Sequence, residues 1–237
     1  MNFEIVKKLD EIARRGSESL SIANMFEKSF AVASVASELK KLLTPEIMKP
    51  IMELQGTKLG FKTDKIYPES VVKECLIEAT IHGVYTVGNM FNIIAGNFYV
   101  TKEGFNHKLK QIEGLSFSIT PGIPKGQTGG ATVDVEVEWT YKGKHNKKIL
   151  PLAIKVNAGM GSDAINGKAT RKASAWLFNN LTGQCVGEGD VSDADVINVT
   201  PEPVKTSRFE KAVESFKEVE AKPFLNYKTV DKEDLLV

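Results

Sequence analysis

Two periods of apolar residues run along this chain, and the change from one to the other falls near residue 89. Before it the spacing is helical. Residues 2–15 and 18–43 read as two helices, the second with Phe26, Phe30, Ala33, Val35 and Leu39 as its expected buried positions. Thr44 and Pro45 end it and open a short helix through residue 55, because proline suits a first helical turn and breaks a running one. Residues 56–67 read as loop. Pro68, Glu69 and Ser70 open a further helix over 71–82, which Gly83 stops, and Val72, Leu76 and Ala79 give it a face to lay on a sheet.

After residue 89 the period drops to two. Short strands are expected over 90–94 and 98–101 around the turn Ala95-Gly96-Asn97, then a helix over 105–113 and a strand over 115–120. Residues 121–130 are too rich in glycine and proline for regular structure and read as a loop. The clearest strand is 132–141. There Val133, Val135, Val137, Trp139 and Tyr141 alternate with Asp134, Glu136, Glu138 and Thr140, so one face is apolar and the other acidic. Residues 142–148 read as its turn, with Lys142, Lys144, Lys147 and Lys148 at the tip, and 149–156 as the returning strand.

The chain then reaches the stretch on which the rest is organised, residues 158–183. Gly159 and Gly161 space a loop, Ser162 or Asp163 caps a helix, and Gly183 supplies the residue that ends it. Ile165, Ala169, Ala173, Trp176 and Leu177 fall on one face. Lys168, Arg171 and Lys172 fall on an adjoining arc around Ala175. No acidic residue lies between 164 and 187, whereas an ordinary solvated helix face mixes its signs. The expectation is three cations held out to solvent.

Composition bounds this picture. With 237 residues, 42% of them hydrophobic, the chain can bury one substantial core. Its net charge of +1 is unevenly spread: residues 101–176 carry 12 basic and 6 acidic side chains, and residues 177–237 carry 7 and 12. A centre that faces a polyanion and an acidic tail follow. The expected division is a core over 1–189, a linker over 190–205, and a helical, acidic tail over 206–237 with Phe209, Val213 and Phe216 along one side of its helix. Two cysteines, Cys75 and Cys185, form no metal or redox motif, which points to a reduced, cytoplasmic protein. No apolar run reaches the roughly 18 residues of a membrane helix, so no membrane partner is expected.

Catalytic chemistry finds little purchase. His82, His107 and His145 sit far apart with no cysteine or carboxylate at ligand spacing, and no phosphate-loop, nucleophile-elbow or zinc-protease motif occurs. The row Asp134, Glu136, Glu138 reads as a solvated strand face, or alternatively as a divalent-metal site in a nucleic-acid-modifying enzyme. No catalytic residue, cofactor or metal ligand is expected.

The order of helix, hairpin (89–101), strand, long hairpin (132–156) and the helix of DAINGKATRKASAWLFNNLTG resembles phage single-strand annealing proteins of the RecT/Redβ group and the related Erf proteins. The stretch KECLIEATIHGVYTVGN, followed by FYVTKEGF, is similar to the RecT pattern of apolar helix, hairpin and glycine-led turn into a helix, and the likeness covers roughly residues 20–185. It implies an α+β fold, antiparallel hairpins and sheet packed against helices, with a helical C-terminal appendage. It implies ATP-independent binding and annealing of single-stranded DNA, with single strands and an annealed duplex intermediate as partners. Carried over, the DNA contacts are Lys168, Arg171 and Lys172, then Lys102, Lys108 and Lys110, with Lys144 and Lys147 from the hairpin tip. A homo-oligomeric ring or helical filament in the cytoplasm of a bacterial host, and an exonuclease or single-strand-binding protein docked on the tail, complete what it implies. A phage assembly protein that oligomerises without binding DNA is the other reading.

Overall fold

The helical half of the chain is built by four segments: α1 (Phe3–Ser19), α2 (Met25–Leu42), α3 (Pro45–Met52) and α4 (Glu69–Ile81). The computed structural model describes residues 3–189 except 128 and 158. The expected linker over 190–205 and tail over 206–237 lie outside the described residues. Ile12, Val35, Leu39 and Met48 enter the core with most of α4 (Val72, Cys75, Leu76, Ile77, Ala79 and Ile81). The face expected of α2 needs correction: Phe26 and Phe30 are 81% and 82% exposed. Phe26 and Val35, like Phe30 and Leu39, are nine positions apart, and at about 100° per residue nine positions bring opposite sides of a helix outward. Packing selected the Val35 and Leu39 side.

The first sheet is small. β1 (Lys62–Thr63) runs parallel to β2 (Phe91–Ile94), which pairs antiparallel with β3 (Asn97–Val100). Ala95 and Gly96 turn the hairpin with φ of 51° and 79°, the left-handed pair that matches strand twist. Thr101 then caps α5 (Lys102–Lys110), its side chain accepting from the Gly104 N–H, so this helix begins three residues before its expected start. Gly104 is required by space. A Cβ there would lie 2.1 Å from the carbonyl oxygen of Met90.

The second sheet holds β4 (Ser116–Pro121), β5 (Lys125–Gln127), β6 (Gly130–Tyr141) and β7 (Lys144–Lys155). β6 is central, with β7 along one side and β4 and β5 in succession along the other. The stretch 121–130, expected to be irregular, therefore contributes a strand, and the Gly122 N–H donating to the Asp134 carbonyl keeps it on the sheet. The β6–β7 turn is also tighter than expected. Lys142 and Gly143 alone make it, with φ of 50° and 72°, and pairing starts at Tyr141 opposite Lys144. Residues 144–148 are strand, not turn.

α6 (Ser162–Thr182) follows, closed by Gly183 at φ 68°. It lies between α5 and the second sheet: Phe178 meets Phe105 on one side, and Trp176 meets Trp139 on the other. Beyond it, residues 187–189 run beside β3, where the Val100 N–H donates to the Gly187 carbonyl and the Gly189 N–H to the Val100 carbonyl. Six helices and two sheets with antiparallel hairpins thus make an α+β fold among the described residues. The parallel pairings, of β1 with β2 and of residue 188 with Val100 of β3, are features that the hairpin expectation did not contain.

Candidate nucleic-acid interface

Strand register sorts the side chains of the β6–β7 ribbon onto two faces. Val133, Val135 and Val137 stand opposite Leu152, Leu150 and Lys148, so these six share the inner face, which α6 covers. Toward the turn the same face continues with Trp139 opposite Asn146 and Tyr141 opposite Lys144, and on the far side Phe117 opposite Trp139. Here Asn146, Lys144 and Lys148 are exposed while Trp139 and Trp176 are half-buried. The two indoles meet edge to face with centroids 5.7 Å apart. The Lys148 ammonium lies 4.9 Å from the Trp176 centroid, and that of Lys142 lies 5.1 Å from the Tyr141 ring. Each such contact is worth about 0.5–1 kcal/mol at an exposed site, enough to orient a cation without removing it from solvent.

The outer face carries the acidic row. Asp134 pairs with Lys125 at 2.8 Å, and Lys147 sits between Glu136 at 2.8 Å and Glu138 at 2.7 Å. The hydrogen bond from Lys147 holds the Glu138 carboxyl below its ordinary range, and both carboxylates hold the Lys147 ammonium above its own. Among the described residues no group of three or more His, Cys, Asp or Glu stands in a metal-holding arrangement. The row is answered by lysines.

Lys144 and Lys147, expected side by side at the tip, therefore belong to opposite faces. Lys148, which sequence reasoning left out of the DNA-contacting set, is the residue that joins Lys144. The available signal was parity, since two strand residues four apart share a face; reading 142–148 as a turn hid it.

The expectation for α6 needs the larger correction. Lys168 and Arg171 are 6% and 5% exposed, so neither is held out to solvent. The Arg171 Nε donates to a Glu188 carboxylate oxygen. That carboxylate lies just past the acid-free stretch 164–187, on the segment beside β3, so the pair ties α6 to the first sheet. Lys172 is half-buried and donates to the Ala153 carbonyl on β7 at 3.4 Å. Of the three cations, it is the one nearest the surface.

Lys108 is corrected in the same way. It is 7% exposed, donates to the His82 carbonyl at the end of α4, and stands 4.5 Å from the Phe178 centroid. Burial pushes its ammonium down to about 8, and burial with the nearby Lys108 charge pushes His82 down to about 4. Lys108 fastens α4, α5 and α6 together. The other two α5 cations reach solvent: Lys110 is exposed, and Lys102 is partly so beside Glu103 at 3.7 Å.

No helix of the described residues is long and apolar enough to cross a membrane. No protein-family model, curated protein or solved structure matches the chain.

Proposed function

We propose that the chain binds single-stranded DNA and anneals complementary strands without ATP, as a phage-type recombination protein of the RecT/Redβ or Erf kind acting in the bacterial cytoplasm as a homo-oligomer. The observation that supports this most is the turn end of the β6–β7 ribbon, where Lys144 and Lys148 share a face with Trp139, Tyr141 and Trp176. Phosphates need mobile, exposed cations, and unpaired bases gain about 1–3 kcal/mol each by stacking on aromatic rings. A duplex offers no bases to stack, so such a surface favours single strands. Annealing makes and breaks no covalent bond, and the reading needs neither a catalytic group nor a cofactor. The duplex formed is the second nucleic-acid partner. A nuclease or single-strand-binding protein on the tail segment with Phe209, Val213 and Phe216 belongs to the same reading.

Two complementary labelled oligonucleotides, mixed at low salt with and without ATP, test it. Acceleration independent of ATP, and lost in Lys144→Ala/Lys148→Ala, is the expected result; no acceleration by the parent protein sinks the reading. The exposed Phe26 and Phe30 equally suit an assembly protein that does not bind DNA, and such a protein would show no salt-dependent oligonucleotide binding.

A further inference from the structure

We propose that Asn146 reads adenine on the edge that base pairing leaves free, so that the turn end of the β6–β7 ribbon grips A-rich single strands while they stay able to pair. This deepens the function proposed above and rests on that reading. Asn146 stands directly opposite Trp139, and Phe117 of β4 stands opposite the same tryptophan on its other side. Side chains placed in this way have Cβ atoms about 4.5–5.5 Å apart. On β7, Asn146 lies two positions from Lys144 and two from Lys148, so the three share a face. A nucleotide held by its phosphates at the two lysines and laid against Trp139 therefore presents its base edge to Asn146.

The amide is already oriented. Its Nδ2 donates one N–H to the Lys144 carbonyl at 3.2 Å. The residue is exposed, so the second N–H and Oδ1 are open to a ligand. An asparagine amide has two N–H donors and one accepting oxygen, and what remains here is one donor beside one acceptor.

The chemistry of annealing selects the base that suits this pair. The edge used in Watson–Crick pairing has to stay open, which leaves the edge that a duplex turns to its major groove. There guanine shows two acceptors, cytosine a donor alone, and thymine an acceptor beside a methyl group. Adenine alone shows an acceptor, N7, next to a donor, the N6 amino group. Both bonds can form at once, from Nδ2 to N7 and from N6 to Oδ1. The second N6 hydrogen and N1 remain for the thymine of the incoming strand.

Bases differ in stacking strength as well, so the test changes a single ring atom. In 7-deaza-adenine a carbon replaces N7, while the ring, the pairing edge and the N6 amino group are kept. Anisotropy titrations of the full chain at one low salt concentration compare labelled oligo(dA), its 7-deaza-adenine counterpart and oligo(dT). The parent is expected to bind oligo(dA) about fivefold or more tightly than the 7-deaza strand. Asn146→Ala is expected to bind those two alike and to keep the parent's affinity for oligo(dT). Asn146→Val, which suits a strand, takes its place should the alanine variant unfold. Equal binding of oligo(dA) and the 7-deaza strand by the parent overturns the proposal and leaves the annealing reading standing. So does a preference that survives in Asn146→Ala, or an equal loss for all three strands in that variant. No binding of any strand by the parent overturns both.

Discussion

The Arg171 guanidinium donates to the Glu188 carboxylate and is only 5% exposed, so the single arginine of α6 ties that helix to the segment beside β3. Removing one partner of a buried ion pair costs up to about 3–5 kcal/mol, and less here because the Glu188 side chain is 25% exposed. Arg171→Ala should therefore lower the denaturation midpoint strongly, and Glu188→Ala should do so too. The double variant Arg171→Leu/Glu188→Leu should recover most of the loss. A thermal melt reads all three, and additive single-variant losses in the double would show that the residues do not act as a pair.

The exposed lysines beside the tryptophans should behave in the opposite manner. Lys144→Ala and Lys148→Ala remove charge from a solvated strand end, and surface changes of this kind shift stability by no more than about 0.5 kcal/mol. If each grips one phosphate of a single strand, its loss reduces the magnitude of the log–log salt slope of binding by about 0.7. Lys147→Ala should change that slope less, because Lys147 is already engaged by Glu136 and Glu138 on the other face. Binding isotherms at four salt concentrations distinguish the three.

Both tryptophans of the chain lie in this cluster. Intrinsic fluorescence should therefore fall on titration with an oligonucleotide of single-stranded DNA, as bases stack on the indoles, and change little with the matching duplex. Trp176→Phe should keep most of the affinity and Trp176→Ala lose it. The stability cost of the alanine should stay below the roughly 3–5 kcal/mol of a fully buried aromatic, since Trp176 is only half-buried. A fluorescence change of equal size with duplex would place the nucleic acid elsewhere.

Lys108 and His82 predict the pH profile of stability. In the folded chain Lys108 loses its proton near pH 8 and His82 near pH 4, both below their ordinary values of 10.5 and 6.5. Between the folded and unfolded values the unfolded chain holds more protons, so stability rises with pH there. It should climb from about pH 4 to 6.5 through His82, and again from about pH 8 to 10.5 through Lys108, the second step being on the order of 3 kcal/mol. Lys108→Met should abolish the alkaline rise and leave DNA affinity unchanged. Loss of affinity in that variant would return Lys108 to the DNA surface.

Much of this architecture is local and could be read from spacing. Gly183 ends α6 because a left-handed residue is needed at that spot, and the valines of β6 alternate because successive strand residues point to opposite faces. Those rules act within a few residues, so they placed the helix, the acidic row and the apolar strand face. Which cations stay in water is decided over longer distances. Lys168 and Arg171 look exposed by the helical wheel, and become buried because α6 is covered on two sides, with Glu188 returning 17 residues later beside β3 to meet the arginine. The face to which each hairpin lysine belongs depended on a two-residue turn at Lys142 and Gly143, since one residue of register exchanges the faces. Charge and period belong to the sequence; burial belongs to the packing, because the free energy of a charge depends on everything around it and not only on its neighbours in the chain.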